Sequence, residues 1–230
     1  MATSSYMPTV VIVPGAWHKD IHVRSFMEAL EERRYKTRCV VLATVDTQGP
    51  RPTWDDEVNR IVFAVREELD TGQDVALLLH SYAGLPGTEA VNRLVQAGTL
   101  ESRSGQGRLQ NLLFFAAHHF PKGFVVDTKD FVGPAKSSFH INESTNMAIH
   151  NTPYEEFFTD IATREEAQPY IDEMTFESPY QGHSNDLQSR LLPLELREFY
   201  LIQFGQLEVL FTLFLQLQKP RRCLATLGNA

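Results

Sequence analysis

A chain of 230 residues with 43% hydrophobic content can bury one sizeable core, and a single α/β domain of this length is ordinary. Its net charge of -8 argues against an electrostatic nucleic-acid binder, which needs clustered Lys and Arg to neutralise phosphates. Two distant cysteines, Cys39 and Cys223, form neither a zinc pattern nor a disulfide framework, and MATSSYMPTV lacks the basic and apolar regions of a secretory signal, so a cytoplasmic protein in a reducing compartment is expected.

Taken in order, apolar runs of strand length alternate with helical patterns, the arrangement of a parallel sheet covered on both faces. TVVIV, residues 9–13, reads as the first strand. After the Pro14-Gly15 turn, Val23, Phe26, Met27 and Leu30 recur at helical spacing. A second strand is expected around Arg38 to Leu42. Thr53 followed by Asp56 is a box-like helix start, after which Trp54, Val58, Ile61, Val62, Val65 and Leu69 share a face until Gly72. DVALLL leads into Ser81, a helix then runs to about Val95, and NLLFFAA, residues 111–117, is the next central strand.

The chemistry concentrates in VALLLHSYAGLPG, residues 75–87. A serine after an apolar strand is most often only a helix N-cap. In a nucleophile elbow, by contrast, the strand turns sharply into a helix, strains the serine backbone and lifts its hydroxyl above the sheet. Ser81 holds that apex, and the amide of Tyr82 would open the helix and face an anion. Ala83 is suitably small, and Gly84 and Gly87 permit close packing, but Leu79 stands where G-x-S-x-G has its first glycine. Upstream, PGAWH at 14–18 offers a second donor, the amide of Ala16 or Trp17, which would complete an oxyanion hole. Alone, that loop is a turn with a tryptophan plug. One strand-helix-strand unit before a serine elbow, it gains a function.

In VVIVPGAWH (10–18), ERRYKT, LLLHSYAGLPGTEAV (77–91) and LQNLLFFAAHHFPKG (109–123) the chain resembles the α/β-hydrolase superfamily. Within it the likeness is to small fungal hydrolases of secondary-metabolite clusters, themselves similar to plant methylesterases and hydroxynitrile lyases. The resemblance implies an α/β-hydrolase fold, a mostly parallel sheet with helices on both faces and a small helical cap, in which a larger residue at the first elbow glycine is common. It extends through NTPYEEFFTDIATREEAQPYIDEMTFES, residues 151–178, which looks like the cap. The residues agree with that reading. Thr152-Pro153 starts one short helix, with Phe157, Phe158 and Ile161 on its apolar side, and Thr163 with Glu166 starts a second carrying Ala167, Tyr170, Ile171 and Met174. Helices over the strand ends would cover the place where open parallel sheets bind ligands. A lid rich in Phe and Tyr suggests a substrate with rings or hydrocarbon, although packing on the core explains the same residues. The expected organisation is one domain over 1–230, with 120–180 an inserted cap and 185–230 an atypical tail.

A serine nucleophile needs a base, and superfamily members supply Ser, acid and His in that chain order. After Ser81 the histidines are His118, His119, His140, His150 and His183. His183, in QGHSND, has the setting closest to the family's Gly-His-Ser loop, and of Asp160, Asp172, Asp186 and Glu195 the acid offered for it is Asp172. Beyond residue 184 the resemblance stops. Phe199 to Leu217 is apolar, but Gln203, Gln206, Glu208 and Gln216 interrupt it, so a packed or partner-facing segment is expected rather than a membrane anchor. Three readings of the tail stand together: it completes the sheet with His183 as base, it is a mis-spliced or frameshifted segment, or it is native and the triad is incomplete. An exposed apolar tail would favour self-association.

The expected function is a serine hydrolase of an ester, thioester or lactone of a small apolar metabolite, in a fungal secondary-metabolite pathway and without a cofactor. The alternative is a catalytically impaired relative that binds a related ligand or performs a non-hydrolytic step. NAD chemistry is disfavoured because no G-x-G-x-x-G follows the first strand. Metal chemistry is disfavoured because a strand would send His118 and His119 to opposite faces and no carboxylate cluster accompanies them.

Overall fold

All five residues of strand β1 (Thr9–Val13) are buried, as a strand covered on both faces requires. The computed structural model describes residues 7–45, 52–100, 104–118, 139–142, 144–145, 147–176 and 199–202. Its elements follow in the order β1, α1 (Asp20–Glu31), β2 (Thr37–Cys39), α2 (Trp54–Asp70), β3 (Val75–His80), α3 (Gly84–Gln96), β4 (Leu109–Phe115), β5 (Phe139–Asn142), β6 (Met147–His150), α4 (Pro153–Phe157), α5 (Arg164–Asp172) and β7 (Phe199–Ile202), with a single 3-10 turn at Ser81–Ala83 between β3 and α3.

Five strands form one sheet in the order β2-β1-β3-β4-β7, and every neighbouring pair is parallel. Side chains alternate across it. Val11, Val13, Leu77, Leu79, Leu112 and Phe114 pack with Val58, Ile61, Val65 and Leu69 of α2 and Val91 and Leu94 of α3. On the other face Val10, Ile12, Leu78 and Leu113 meet Leu30 and Tyr35, with Val23, Phe26 and Met27 of α1 alongside. The helical spacings predicted for α1 and α2 therefore mark the faces that cover the sheet.

Local signals set several element ends. The Thr53 side chain accepts from the Asp56 amide at 3.2 Å and Asp56 Oδ2 accepts from the Thr53 amide at 2.8 Å, a reciprocal cap that satisfies two otherwise unpaired donors. Beyond β2, Glu57 of α2 is fully buried; its carboxylate accepts from the amides of Ala43 and Thr44 and from the Thr44 hydroxyl. Burial pushes that carboxyl up, and the three donors pull it back. The result is a fixed turn over residues 42–45 at the C-terminal edge of the sheet.

Between β4 and β7 the chain builds an antiparallel hairpin, β5 with β6, and the two short helices α4 and α5. Both helices start where the sequence predicted, at Thr152-Pro153 and at Thr163, whose side chain accepts from the Glu166 amide at 3.2 Å. The hairpin was not anticipated. Strand β7, taken from the apolar tail, pairs with Leu112–Phe115 on the edge of β4, as the reading in which the tail adds to the sheet expects. Strand β2 is shorter than expected and β4 begins two residues earlier, at Leu109. No helix among the described residues is long and apolar enough to cross a membrane.

Candidate active site

Strands β1 and β3 are paired in register, with Val13 opposite Leu79, so the segments that follow them leave the sheet side by side. Ser81 sits there at φ 53, in the left-handed region that a residue with a side chain seldom adopts. That strain is the mark of an elbow and not of an ordinary N-cap, whose backbone is extended. The surroundings hold it. The Ser81 carbonyl accepts from the His118 amide at 2.9 Å, which ties the turn to the end of β4. A Cβ on Gly15 would come within 2.8 Å of Ser81 Cβ, and one on Gly84 within 2.2 Å of the His118 carbonyl oxygen. Neither approach leaves room for a side chain.

Leu79, the departure from G-x-S-x-G, has a compensation. A Cβ on Gly87 would meet both Leu79 methyl carbons at 2.4 Å. The bulk gained in the strand is accommodated by the bulk absent from the helix eight residues on, and Leu79 is fully buried in consequence.

The loop after β1 brings Ala16 and Trp17 to the same edge. Trp17 has φ 66, the left-handed region again. Its indole Nε1–H donates to the Ala148 carbonyl at 2.6 Å, and its ring is surrounded by Phe139, His150, Phe157 and Phe176 at centroid distances of 5.5, 5.1, 6.3 and 5.0 Å. Its backbone pairs with Thr175 in an isolated antiparallel bridge. Tyr82 is buried, with its ring edge-on to Phe176 at 5.5 Å.

Five histidines converge on this region. His18 Nδ1 lies 2.6 Å from the Ala16 carbonyl oxygen, so the ring must carry its proton on Nδ1 to donate there. His18 is also near the rings of His22 (4.9 Å), Phe157 (5.0 Å) and His80 (6.0 Å). Desolvation, reinforced by the neighbouring histidines, lowers its pKa to about 3 even though the Ala16 carbonyl favours the cation. His80, next to the elbow serine, is lowered to about 4 by burial and by His118. His22 accepts from the Lys19 amide at Nδ1 (2.8 Å) and donates from Nε2 to the Tyr170 carbonyl (2.9 Å), which selects the neutral Nε2–H tautomer. Burial lowers its pKa, and the same cause lowers those of His150 and His118. Chain order had directed attention to histidines after Ser81, so His18 and His22 were passed over; the density of PGAWHKDIH was the available signal.

Of the sequence-predicted residues, Ser81, Tyr82, Ala16 and Trp17 come together at one edge of the sheet. Asp172 is on the exposed side of α5, where its carboxylate accepts from Gln168 Nε2 at 2.7 Å. His183 lies outside the described residues, as do His119, Asp186 and Glu195. His140 is exposed, bonded to Asn151 at 2.7 Å. Among the described residues no group of three or more His, Cys, Asp or Glu is arranged to hold a metal ion.

No protein-family model matches this chain. A curated relative, the α/β hydrolase nvfD of Aspergillus novofumigatus, is 31% identical over 116 residues, which is 50% of this chain and 45% of the relative. The chain spans less than half the length of the curated relatives it matches. Among solved structures, tomato methylketone synthase I, an H243A variant complexed with β-ketoheptanoate, superposes with a TM-score of 0.62 at 11% identity, covering 94% of this chain and 86% of that one. Polyneuridine aldehyde esterase, as its H244A mutant, gives 0.57 at 16% identity, covering 78% and 71%. The chain has the α/β-hydrolase fold. In that fold a nucleophile elbow is a strained serine on the sharp turn from a strand into a helix, and Ser81, between β3 and α3 at φ 53, has that backbone geometry.

Proposed function

We propose that this protein of α/β-hydrolase fold is a serine hydrolase acting on an ester, thioester or lactone of a small, largely apolar metabolite. The observation that carries the reading is the backbone of Ser81: a left-handed φ at the end of a central parallel strand, with the Gly15 loop pressed against it and α3 beginning immediately after. A serine held this way attacks a carbonyl carbon, and negative charge develops on the carbonyl oxygen. The amides of Tyr82 and of Ala16 or Trp17 are the donors for that oxygen. A histidine takes the serine proton and returns it to the leaving group. His183 is the candidate base, and Asp172 the acid that the sequence offered with it. The apolar preference is supported by the cap, whose Phe139, Phe157, Phe158 and Phe176 crowd the edge where Ser81 emerges, around Trp17 and His18.

Purified protein should hydrolyse p-nitrophenyl esters and react at Ser81 with a fluorophosphonate probe. Ser81→Ala should lose both, the residual rate being roughly 10⁴-fold or more below wild type. His183→Ala should fall as far if that histidine is the base. Protein inert to ester and probe alike, yet stabilised against heat by an apolar lactone, would replace this reading with the ligand-binding alternative.

A further inference from the structure

The side chain of Trp17 has no role in the chemistry proposed above, where only its backbone stands near the oxyanion. Yet nearly everything it touches belongs to the cap. Its Nε1–H donates to Ala148 of β6, 131 residues away in sequence; its ring rests on Phe139, His150, Phe157 and Phe176; its backbone bridges to Thr175. Those partners are themselves joined. The Ala148 amide donates to the Phe176 carbonyl at 2.8 Å, and the Thr175 hydroxyl donates at 2.6 Å to the Val45 carbonyl in the turn held by Glu57. The loop's other end is tied to the cap as well, through His22 to the Tyr170 carbonyl and through the 2.9 Å Lys19–Glu173 ion pair.

The geometry assigns Trp17 as a positioning residue: the cap grips its indole and thereby holds the loop of Ala16 and Trp17 at the angle that an oxyanion hole needs. The reason is steric and electrostatic together. At φ 66 the Trp17 backbone would relax toward a negative φ if released, because its Cβ crowds the chain in the left-handed region. The peptide between Ala16 and Trp17 is planar, and its carbonyl is engaged by His18 Nδ1–H, so its N–H points the opposite way. Relaxation at Trp17 would rotate the loop relative to Ser81. Donors preorganised toward an oxyanion lose their advantage when they turn, even without leaving the site. In this arrangement the cap is part of the catalytic geometry as well as a wall around the substrate.

The catalytic half of this inference rests on the hydrolase reading; the mechanical half does not. Trp17→Phe keeps an aromatic ring in the cap and deletes the indole donor. In the full chain, with a p-nitrophenyl ester, kcat should fall about ten-fold while KM changes less than about two-fold, a fraction of the roughly 10²- to 10³-fold lost when an oxyanion donor is removed outright. Amide hydrogen exchange should speed up in both 15–19 and 147–176 and stay unchanged in 75–80. Tyr154→Phe deletes a hydroxyl bond to the Ile161 carbonyl inside the cap and spares Trp17, so its kcat should stay within about two-fold. An unchanged kcat in Trp17→Phe, an equal fall in Tyr154→Phe, or exchange that rises in the cap but not in 15–19 would each overturn the assignment. A wild-type protein without esterase activity would overturn the hydrolase reading alone, and the exchange result would still decide the coupling.

Discussion

The sheet and the cap are held by different forces. Around β1, β3 and β4 the contacts are aliphatic and fully buried, with Val, Leu and Ile filling both faces. The cap instead meets the loop after β1 through rings and polar atoms: Trp17, His18, His22 and His150 against Phe157, Phe158, Tyr170 and the carbonyls of Ala148 and Tyr170. Aliphatic burial is indifferent to pH, whereas a histidine seam is neutral only while its rings stay deprotonated. The contrast teaches that the half of the molecule surrounding Ser81 is the half open to titration.

The largest expected effect of that contrast is acid lability. His18 at about 3 and His80 at about 4 lie below the ordinary histidine value of 6.5, so below pH 6.5 the unfolded chain binds protons that the folded one refuses. Stability is unaffected above that value. It then falls by up to about 1.4 kcal/mol per pH unit for each ring, until pH 4 for His80 and pH 3 for His18. Urea midpoints at pH 7, 6 and 5 should show the decline, and His18→Gln should make it shallower. Identical slopes in wild type and variant would erase the distinction between seam and sheet.

A smaller effect probes the sheet side. Gly87→Ala places a methyl within 2.4 Å of the Leu79 side chain and should cost about 1–3 kcal/mol by overpacking. Adding Leu79→Ala should recover part of that loss, a coupling that a double-mutant cycle measures directly. Strict additivity would show that the two residues do not share the space. The smallest change is Glu173→Gln. Its bond to Lys19 joins cap and loop across an exposed surface, and thermal denaturation should register no more than about 1 kcal/mol.

Where the signals were local, the sequence was legible. The Thr53/Asp56 box, the Thr152-Pro153 start and the apolar faces of α1 and α2 depend on neighbours within a few residues, and each lies where it was expected. Ser81 was legible because strand, serine and small residues follow one another. The hairpin β5–β6 was not, since its strands have four residues each: FHIN in β5 alternates over too short a run to stand out, and MAIH in β6 does not alternate. Nor could periodicity show that Phe199–Ile202 would pair with β4, or that an indole at 17 would find a carbonyl at 148, because those contacts exist only once the chain has folded. The tautomers of His18 and His22 depend on carbonyls and amides that no spacing rule connects to them.

The Leu79–Gly87 contact has a bearing on how such elbows are recognised and transplanted. An elbow needs one small partner where strand and helix cross, and which element supplies it is a matter of indifference to the geometry. Here the helix supplies it. A pattern written on strand positions passes over this serine, while one written on the crossing finds it. Moving this elbow to another scaffold would require carrying residues 79 and 87 as a unit.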